Sequence, residues 1–453
     1  MDYTIKYFLV SLLLTGFAVQ QISGQYPNVP TVSTPKPATM QPNVIIGQPS
    51  VPYSNFGTPT SVQEQNARIL QEVQQHQQQT QIANQKMMQE AAEEFEPRQG
   101  TNFAACRSAI PLPDYSKAKG VENFHRAFEG IEKMLTGEAP ISIKDAVFLA
   151  ENTYYGNSLN YEDYNKSIRR DVELCNAKIR QQKLNAKDPM VKAMMLFHFL
   201  TDTFKVKLSA NEKTLVHYPM TYDYNDPQGK EDITKLFVTK LMAENTGQCN
   251  SMPKRFLVMA EEMGFDAHFT TAPLHSFVKI QDPQGIWHNL ELTCGAILSD
   301  QHYLYGSFIK SEALRKNIYL YPMTKKELLA DILLDLAMIY EHTYGCDSFF
   351  AVCYNTALEF DPKNIRASIL KGIYAQNILT YICANTGVKT LDEIEGCPTA
   401  KRAWQMYQKV EDEIYAKGFE PMPKELYQLW LNYVSEQKAK PENQQLKLKY
   451  IER

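Results

Sequence analysis

Apolar residues follow a helical period in the first folded part of the chain. One set of them lies on a single face and is followed by Gly137, which predicts a helix that ends there. The set is Val121, Phe124, Phe128, Ile131 and Leu135. Ser142 stands three residues before Asp145, as a helix N-cap does, and the apolar run 190–200 predicts a further helix. Residues 105–215 are therefore predicted to be mainly helical.

The pattern changes over residues 248–295. Pro253 has no N–H to donate and fits only in the first turn of a helix, so a helix begins within a residue or two of Cys249 and ends at Gly264. Three short extended segments follow, at 267–271, 275–280 and 287–292. The turn sequence Asp282-Pro283-Gln284-Gly285 separates the last two. A helix followed by antiparallel strands predicts an α+β core.

The C-terminal part, residues 325–453, is helical again. Its apolar residues resemble one tetratricopeptide repeat, with Leu336–Tyr340 in the first helix, Ala357–Glu359 in the second and Asp361-Pro362 after it. Residues 367–374 have the pattern that opens a next repeat. A stable solenoid needs about three repeats. We therefore expect these helices to pack on the rest of the protein.

The N-terminus has the layout of a signal peptide. Lys6 precedes the apolar run 7–19, which is shorter than the roughly 20 residues that span a bilayer. Small and polar residues follow at 20–24. We predict a signal peptide at 1–24 and an exported protein, periplasmic or secreted, the alternative being an uncleaved N-terminal anchor.

Two segments of biased composition follow this leader. Residues 25–60 are rich in Pro, Thr, Ser, Asn and Gln and are predicted to be a disordered linker. Residues 61–98 are rich in Gln and form either a helical stalk or further disorder. A helical segment joined to the α+β core is then predicted at 105–305.

Composition and charge exclude several classes of function. The net charge is −4, whereas a nucleic-acid-binding protein usually carries an excess of basic residues. No second long apolar run occurs, so we expect no integral membrane span after signal removal. The eight cysteines are too sparse for a disulfide-scaffold protein, and none has the spacing of a zinc site. We predict no metal and no cofactor.

Three residues in the central part have the chemistry of acyl transfer by a thiol. Cys249 at a helix N-terminus is a candidate nucleophile, and its own backbone N–H is a candidate oxyanion donor. His275 is the candidate proton shuttle, and Glu291 in the next strand is the candidate for holding the imidazole. If the turn closes a hairpin, the last two fall within about one residue of facing each other. Asn289 is the rival third member, and Gln248 either turns the chain or donates to the oxyanion.

The sequence around these residues resembles the transglutaminase-like superfamily of papain-like thiol enzymes. The matching blocks are Gly247-Gln248-Cys249, Pro273-Leu274-His275-Ser276-Phe277-Val278 and Trp287-His288-Asn289-Leu290-Glu291-Leu292-Thr293. The resemblance covers about residues 190–300 and is strongest to bacterial exported members with tetratricopeptide-like helices. It implies Cys249 as the nucleophile, His275 as the general base and acid, and Glu291 in the place of the family's aspartate. Asn250 stands where animal transglutaminases have tryptophan.

Two functions remain open at this point. The first is a cysteine hydrolase or acyltransferase acting on a peptide or protein substrate, with water the expected acyl acceptor. The second is a non-catalytic exported binding or scaffold protein with a degenerate transglutaminase-like domain. The tyrosine-rich segment 217–227 either lines a substrate cleft or packs in the core.

Overall fold

Helices make up most of the protein that this computed structural model describes, namely residues 102, 104–208, 213–307, 309–437 and 440–451. A smaller part is antiparallel sheet, so the fold is α+β, as predicted. The predicted signal peptide, linker and stalk lie outside the described residues. Residues 101–453 form one compact unit.

Four helices form the first part, after a 3-10 turn at Ala105–Arg107. They are α1 (Val121–Thr136), α2 (Ile143–Tyr154), α3 (Tyr161–Gln181) and α4 (Pro189–Thr201). The predicted end of α1 is confirmed, because Gly137 follows it with a left-handed backbone (φ 87°). The Ser142 hydroxyl accepts the Asp145 N–H at 3.1 Å and caps α2. Helix α4 is apolar on nearly all sides and is buried along most of its length.

The strands form three small sheets. Strands β1 (Phe204–Val206) and β2 (Leu215–His217) form an antiparallel pair, and β3 (Thr221–Tyr222) and β4 (Thr246–Gly247) form a parallel one. The third sheet is antiparallel with strands in chain order: β5 (His268–Ala272), β6 (His275–Gln281), β7 (Trp287–Glu291) and β8 (Ala296–Leu298). The three strands predicted from the sequence are confirmed as β5, β6 and β7.

Two helices precede the third sheet, α5 (Val238–Glu244) and α6 (Ser251–Met263). Helix α6 begins two residues after Cys249 and is followed by Gly264 in a left-handed conformation (φ 69°), which confirms the predicted bounds. It packs against β5 and β6 on one side and against α2, α3 and α4 on others. The helix bearing the cysteine is therefore central to the fold.

The expected pairing of His275 with Glu291 is corrected by one step in register. Val278 lies opposite Leu290 in the β6–β7 ladder, and one further step places Glu291 opposite Phe277. His275 is two residues away from that position, not one. Since side chains two residues apart share a face of a strand, the two residues are diagonal neighbours and still meet.

The C-terminal part is helical, as predicted. Its helices are α7 (Asp300–Gly306), α8 (Ser311–Arg315), α9 (Lys325–Tyr344), α10 (Ser348–Phe360), α11 (Ile365–Thr386), α12 (Leu391–Gly396), α13 (Pro398–Ala416), α14 (Lys424–Glu436) and α15 (Gln445–Tyr450). A capping box of Thr324 and Glu327 begins α9. Helix α9 packs on α1 and α2, so the repeat-like helices share a core with the first part. Among the described residues, no helix is both long and apolar enough to cross a membrane.

A buried charge cluster joins α6 to the repeat-like helices. Lys254 of α6 is 1% exposed and donates to Asp335 of α9 and to Asn250 (2.8 Å). Arg366 of α11 donates to Asp335 at 2.6 Å and to Asp331 at 2.9 Å. Each buried charge has a partner of opposite sign, as burial requires.

A disulfide joins Cys106 to Cys397 across 291 residues of sequence. It connects the 3-10 turn at the beginning of the described chain to the N-terminus of α13. The sequence did not indicate this pair. A cross-link over so long a loop restricts the unfolded chain strongly.

Reduction of this disulfide should lower the free energy of unfolding by about 2–5 kcal/mol, because it releases the constraint on the unfolded chain. Thermal unfolding with and without a phosphine reductant measures the effect, and Cys106→Ser with Cys397→Ser should reproduce it. Cys383→Ser is the matched control, since Cys383 is in no disulfide. Equal stability of the reduced and oxidised protein would contradict a stabilising role.

Candidate active site

Cys249 lies in a tight connection between β4 and α6. Gly247 permits this connection, since a Cβ there would lie 2.7 Å from Ser251 Oγ and 3.0 Å from a Leu241 methyl carbon. Ser251 Oγ in turn accepts the Gln248 backbone N–H at 3.0 Å. The cysteine therefore lies immediately before the N-terminus of α6.

The Gln248 side chain faces away from the expected oxyanion position. Its Nε2 donates to the backbone oxygens of Asp223 (3.0 Å) and Asp226 (2.8 Å), and the residue is fully buried. These bonds occupy both amide hydrogens. Of the two roles considered for Gln248, turning and fixing the chain is the one that fits, and donation to an oxyanion is wrong.

A two-residue turn between β5 and β6 places His275 next to the cysteine. Pro273 cannot adopt a positive φ, so the left-handed position of the turn falls on Leu274 (φ 54°), a strained conformation for a residue with a side chain. The Leu274 carbonyl lies 3.9 Å from Cys249 Sγ. The Ser276 hydroxyl donates to the Cys249 carbonyl at 2.5 Å. Residues on both sides of His275 therefore bind the cysteine.

Glu291 holds the imidazole. Its Oε2 accepts His275 Nε2 at 2.8 Å, and neither side chain is exposed to solvent. Tyr303 of α7 donates to the same oxygen at 2.8 Å. Thr293 donates its hydroxyl (2.6 Å) and its N–H (3.2 Å) to the other oxygen. The carboxylate is thus fixed by four hydrogen bonds.

The electrostatics of the site favour an imidazolium. Burial lowers the pKa of His275, but the charge of Glu291, the hydrogen bond to Glu291 and the nearby Cys249 outweigh burial and raise this pKa to about 9. Burial likewise raises the pKa of Glu291, and the charge and hydrogen bond of His275 outweigh it, so the net shift is downward. Since Nε2 is bound to Glu291, Nδ1 is the nitrogen left for the thiol. His275 Nδ1 is buried and has no hydrogen-bond partner in the part of the chain that the structure describes. Near neutral pH, His275 is therefore a proton donor with Nδ1 unoccupied.

The rival third residue takes no part in this contact. Asn289 Nδ2 donates to Asp300 Oδ1 at 2.9 Å, and Asn289 lies opposite Lys279 in the sheet. Of the two candidates on β7, Glu291 is the one that the structure brings to His275.

The structure adds residues at the thiol that the sequence analysis did not assign. Tyr222, in the tyrosine-rich segment, is buried near Cys249, and its hydroxyl lies 3.4 Å from that of Tyr427 in α14. Burial, the charge of Cys249 and a hydrogen bond to its side chain raise the pKa of Tyr427. Trp430, one turn further along α14, lies edge-on to His275 with ring centroids 4.3 Å apart. A helix almost 180 residues away in sequence covers the site.

The chain matches no family model, no curated protein and no solved structure. The resemblance to transglutaminase-like enzymes therefore rests on the three short sequence blocks and remains a prediction. Among the described residues, no group of three or more His, Cys, Asp or Glu side chains is placed to hold a metal ion.

The His275–Glu291 pair should make stability depend on pH. The folded-state pKa of about 9 exceeds the ordinary 6.5, so the stabilisation is complete below pH 6.5 and is lost as the pH rises through 9. Relative to His275→Gln, the wild type should lose up to about 3 kcal/mol over this interval. Chemical unfolding of both proteins at several pH values measures the difference. A difference that is constant with pH would contradict a buried imidazolium.

Glu291→Gln should make Cys249 less reactive at pH 6 to 7. The amide keeps the shape of the side chain but removes the charge that holds the proton on His275, so less imidazolium faces the sulfur. We expect alkylation of Cys249 by iodoacetamide, followed by peptide mass, to slow by about tenfold or more. Asn289→Ala on the same strand is the control and should react like the wild type.

Proposed function

We propose that this protein is a thiol-dependent hydrolase or acyltransferase of transglutaminase-like type, with Cys249 as nucleophile and His275 as acid and base. The observation that supports this most is that buried His275 is hydrogen-bonded to Glu291, while Leu274 and Ser276 on either side of it contact Cys249. A histidine that lies between a thiol and a fixed carboxylate is the arrangement that activates a thiol.

The reaction proceeds in two stages. The thiolate of Cys249 attacks the carbonyl carbon of an amide or ester, and His275 gives its proton to the leaving nitrogen or oxygen as that bond breaks. A thioester on Cys249 remains. Water then attacks the thioester while His275 takes its proton, which releases a carboxylic acid and regenerates the thiol. Glu291 keeps the imidazole oriented and stabilises its positive charge in both stages.

Water is the preferred acceptor, and a peptide or protein is the preferred substrate. Asn250 replaces the tryptophan that follows the cysteine in animal transglutaminases, which argues against cross-linking by an amine. Glutamate in the place of aspartate does not weaken the arrangement, since its four hydrogen bonds fix the longer side chain. Export to an oxidising compartment accords with the Cys106–Cys397 disulfide.

An alternative is a binding or scaffold protein in which Cys249 has no catalytic role. The specific observation in its favour is that Cys249 is only 9% exposed and that Tyr427 contacts its sulfur. This alternative predicts no acyl-enzyme under any condition.

A simple acyl donor tests the proposal. The chain without residues 1–24 should take up one acetyl group from p-nitrophenyl acetate, and peptide mass should place that group on Cys249. Hydroxylamine should remove it, as it does a thioester. Cys249→Ser and His275→Ala should each reduce p-nitrophenol release by about 10²-fold or more. Cys383→Ser, at a partly exposed cysteine, should have no effect. Acetylation spread over several residues, unaffected by either site variant, would favour the binding protein.

A further inference from the structure

Helix α14 places two large aromatic side chains over Cys249 and His275. Tyr427 is 5% exposed and contacts Cys249, and Trp430 is 2% exposed and contacts the His275 ring. Both residues lie on the same face of the helix, since they are three positions apart in the sequence. An acyl donor and these two side chains therefore compete for one volume.

Trp430 fits a slot beside the reacting groups. Phe277 and Tyr303 stack face to face with centroids 3.9 Å apart, and the Tyr303 ring lies 6.0 Å from the Trp430 ring. Gly306 ends α7 at the indole, where a Cβ would lie 2.3 Å from Cδ1 of Trp430. No other residue at position 306 leaves room for a ring in this place. The slot is thus shaped for a flat aromatic group.

The slot does not suit the polar edge of the indole. Trp430 Nε1 is buried, and no acceptor in the described part of the chain binds it. A buried N–H without an acceptor costs free energy. A phenyl ring is smaller than an indole but enters the same apolar slot without burying an unpaired N–H.

The segments on both sides of α14 are held in place independently. Before it, Gly418 (φ 90°) lies so close to α8 that a Cβ would be 2.6 Å from the Ala313 nitrogen. After it, Lys447 of α15 donates to Asp202 at 2.6 Å. The segments that flank α14 therefore have contacts of their own with the rest of the protein, independent of Tyr427 and Trp430.

We propose that α14 is an intramolecular occupant of the acyl-donor site and that the slot formed by Gly306, Tyr303 and His275 accepts the aromatic side chain, preferably phenyl, of a peptide substrate. This inference rests on the function proposed above for Cys249. Substrate binding then requires displacement of Tyr427 and Trp430.

Alkylation of Cys249 measures the occlusion without any turnover. In the full chain lacking residues 1–24, Trp430→Ala should speed iodoacetamide labelling of Cys249 about tenfold or more, because the ring no longer holds α14 on the site. Tyr427→Phe, which removes the hydroxyl near the sulfur together with its hydrogen bond to Tyr222 but keeps the ring, should speed it by a smaller factor. Leu429→Ala is the matched control: this side chain is 47% exposed on the same helix, and labelling should be unchanged.

Two further measurements test the slot. Trp430→Phe should keep Cys249 better protected than Trp430→Ala does and should lower the melting temperature less, since phenyl occupies most of the slot and leaves no unpaired N–H. In Trp430→Ala, N-acetylphenylalaninamide should slow the labelling of Cys249 at concentrations at which N-acetylalaninamide does not. Circular dichroism checks that each variant is folded. If Trp430→Ala does not fold, Tyr427→Phe and Trp430→Phe carry the test.

The outcomes separate the two proposals. Labelling of Cys249 that is as fast in the wild type as in Trp430→Ala or Tyr427→Phe would overturn the occlusion. Equal effects of the two amides would overturn the aromatic slot. Faster labelling and phenyl protection, together with no acetyl-enzyme even in Trp430→Ala, would uphold this inference as a binding site and contradict the proposed catalysis.

Discussion

The burial of an ion pair between His275 and Glu291 is the constraint on which the site depends. Two charges without solvent exposure are tolerated only if each meets an opposite charge and the remaining hydrogen-bonding atoms are satisfied. Glu291 meets this requirement through Tyr303 and Thr293, so α7 and the turn after β7 must both be in place before the pair is stable. The β6–β7 register must be right as well, because a slip of one residue would move Glu291 to the other face of the sheet. Local errors in this region would leave an unpaired buried charge, which is among the costliest defects in a protein.

The same requirement extends behind α6 and explains why the C-terminal helices belong to this unit. Lys254 lies on α6 one turn after Asn250, which follows Cys249, and donates a hydrogen bond to the Asn250 side chain. Its charge is met by Asp335 of α9, which Arg366 of α11 also binds. The N-terminus of α6 is therefore held from the front by Ser276 and from the back by a cluster built on the repeat-like helices. In this arrangement the repeat-like helices hold the N-terminus of α6, and with it Cys249, in place.

The features that depend on neighbouring residues were predictable from the sequence. Gly137, Ser142, Pro253 and Gly264 are each typical of a helix end for a local reason, and the helix bounds follow from them. The meeting of Cys249, His275 and Glu291 was predictable in outline because one helix and one hairpin carry all three, although the register was one step off. Contacts between residues far apart in the chain leave no comparable pattern in the sequence. Tyr427 and Trp430 look like the buried face of any amphipathic helix, and eight cysteines allow too many pairings to select Cys106 and Cys397.

The burial of Tyr427 and Trp430 over Cys249 also determines the fraction of molecules in which the site is open. Removing one large side chain from an apolar site costs about 1.5–3 kcal/mol, so exposing both Tyr427 and Trp430 costs about 3–6 kcal/mol. At about 1.4 kcal/mol per tenfold, the open form is on the order of 10⁻² to 10⁻⁴ of the population. The apparent affinity for any substrate falls by the same factor unless the substrate itself refills the vacated slot. A peptide with an aromatic side chain regains part of the burial that α14 gives up, whereas a peptide with a small side chain does not. Selectivity among peptides would then come from the cost of displacing the chain's own aromatic residues.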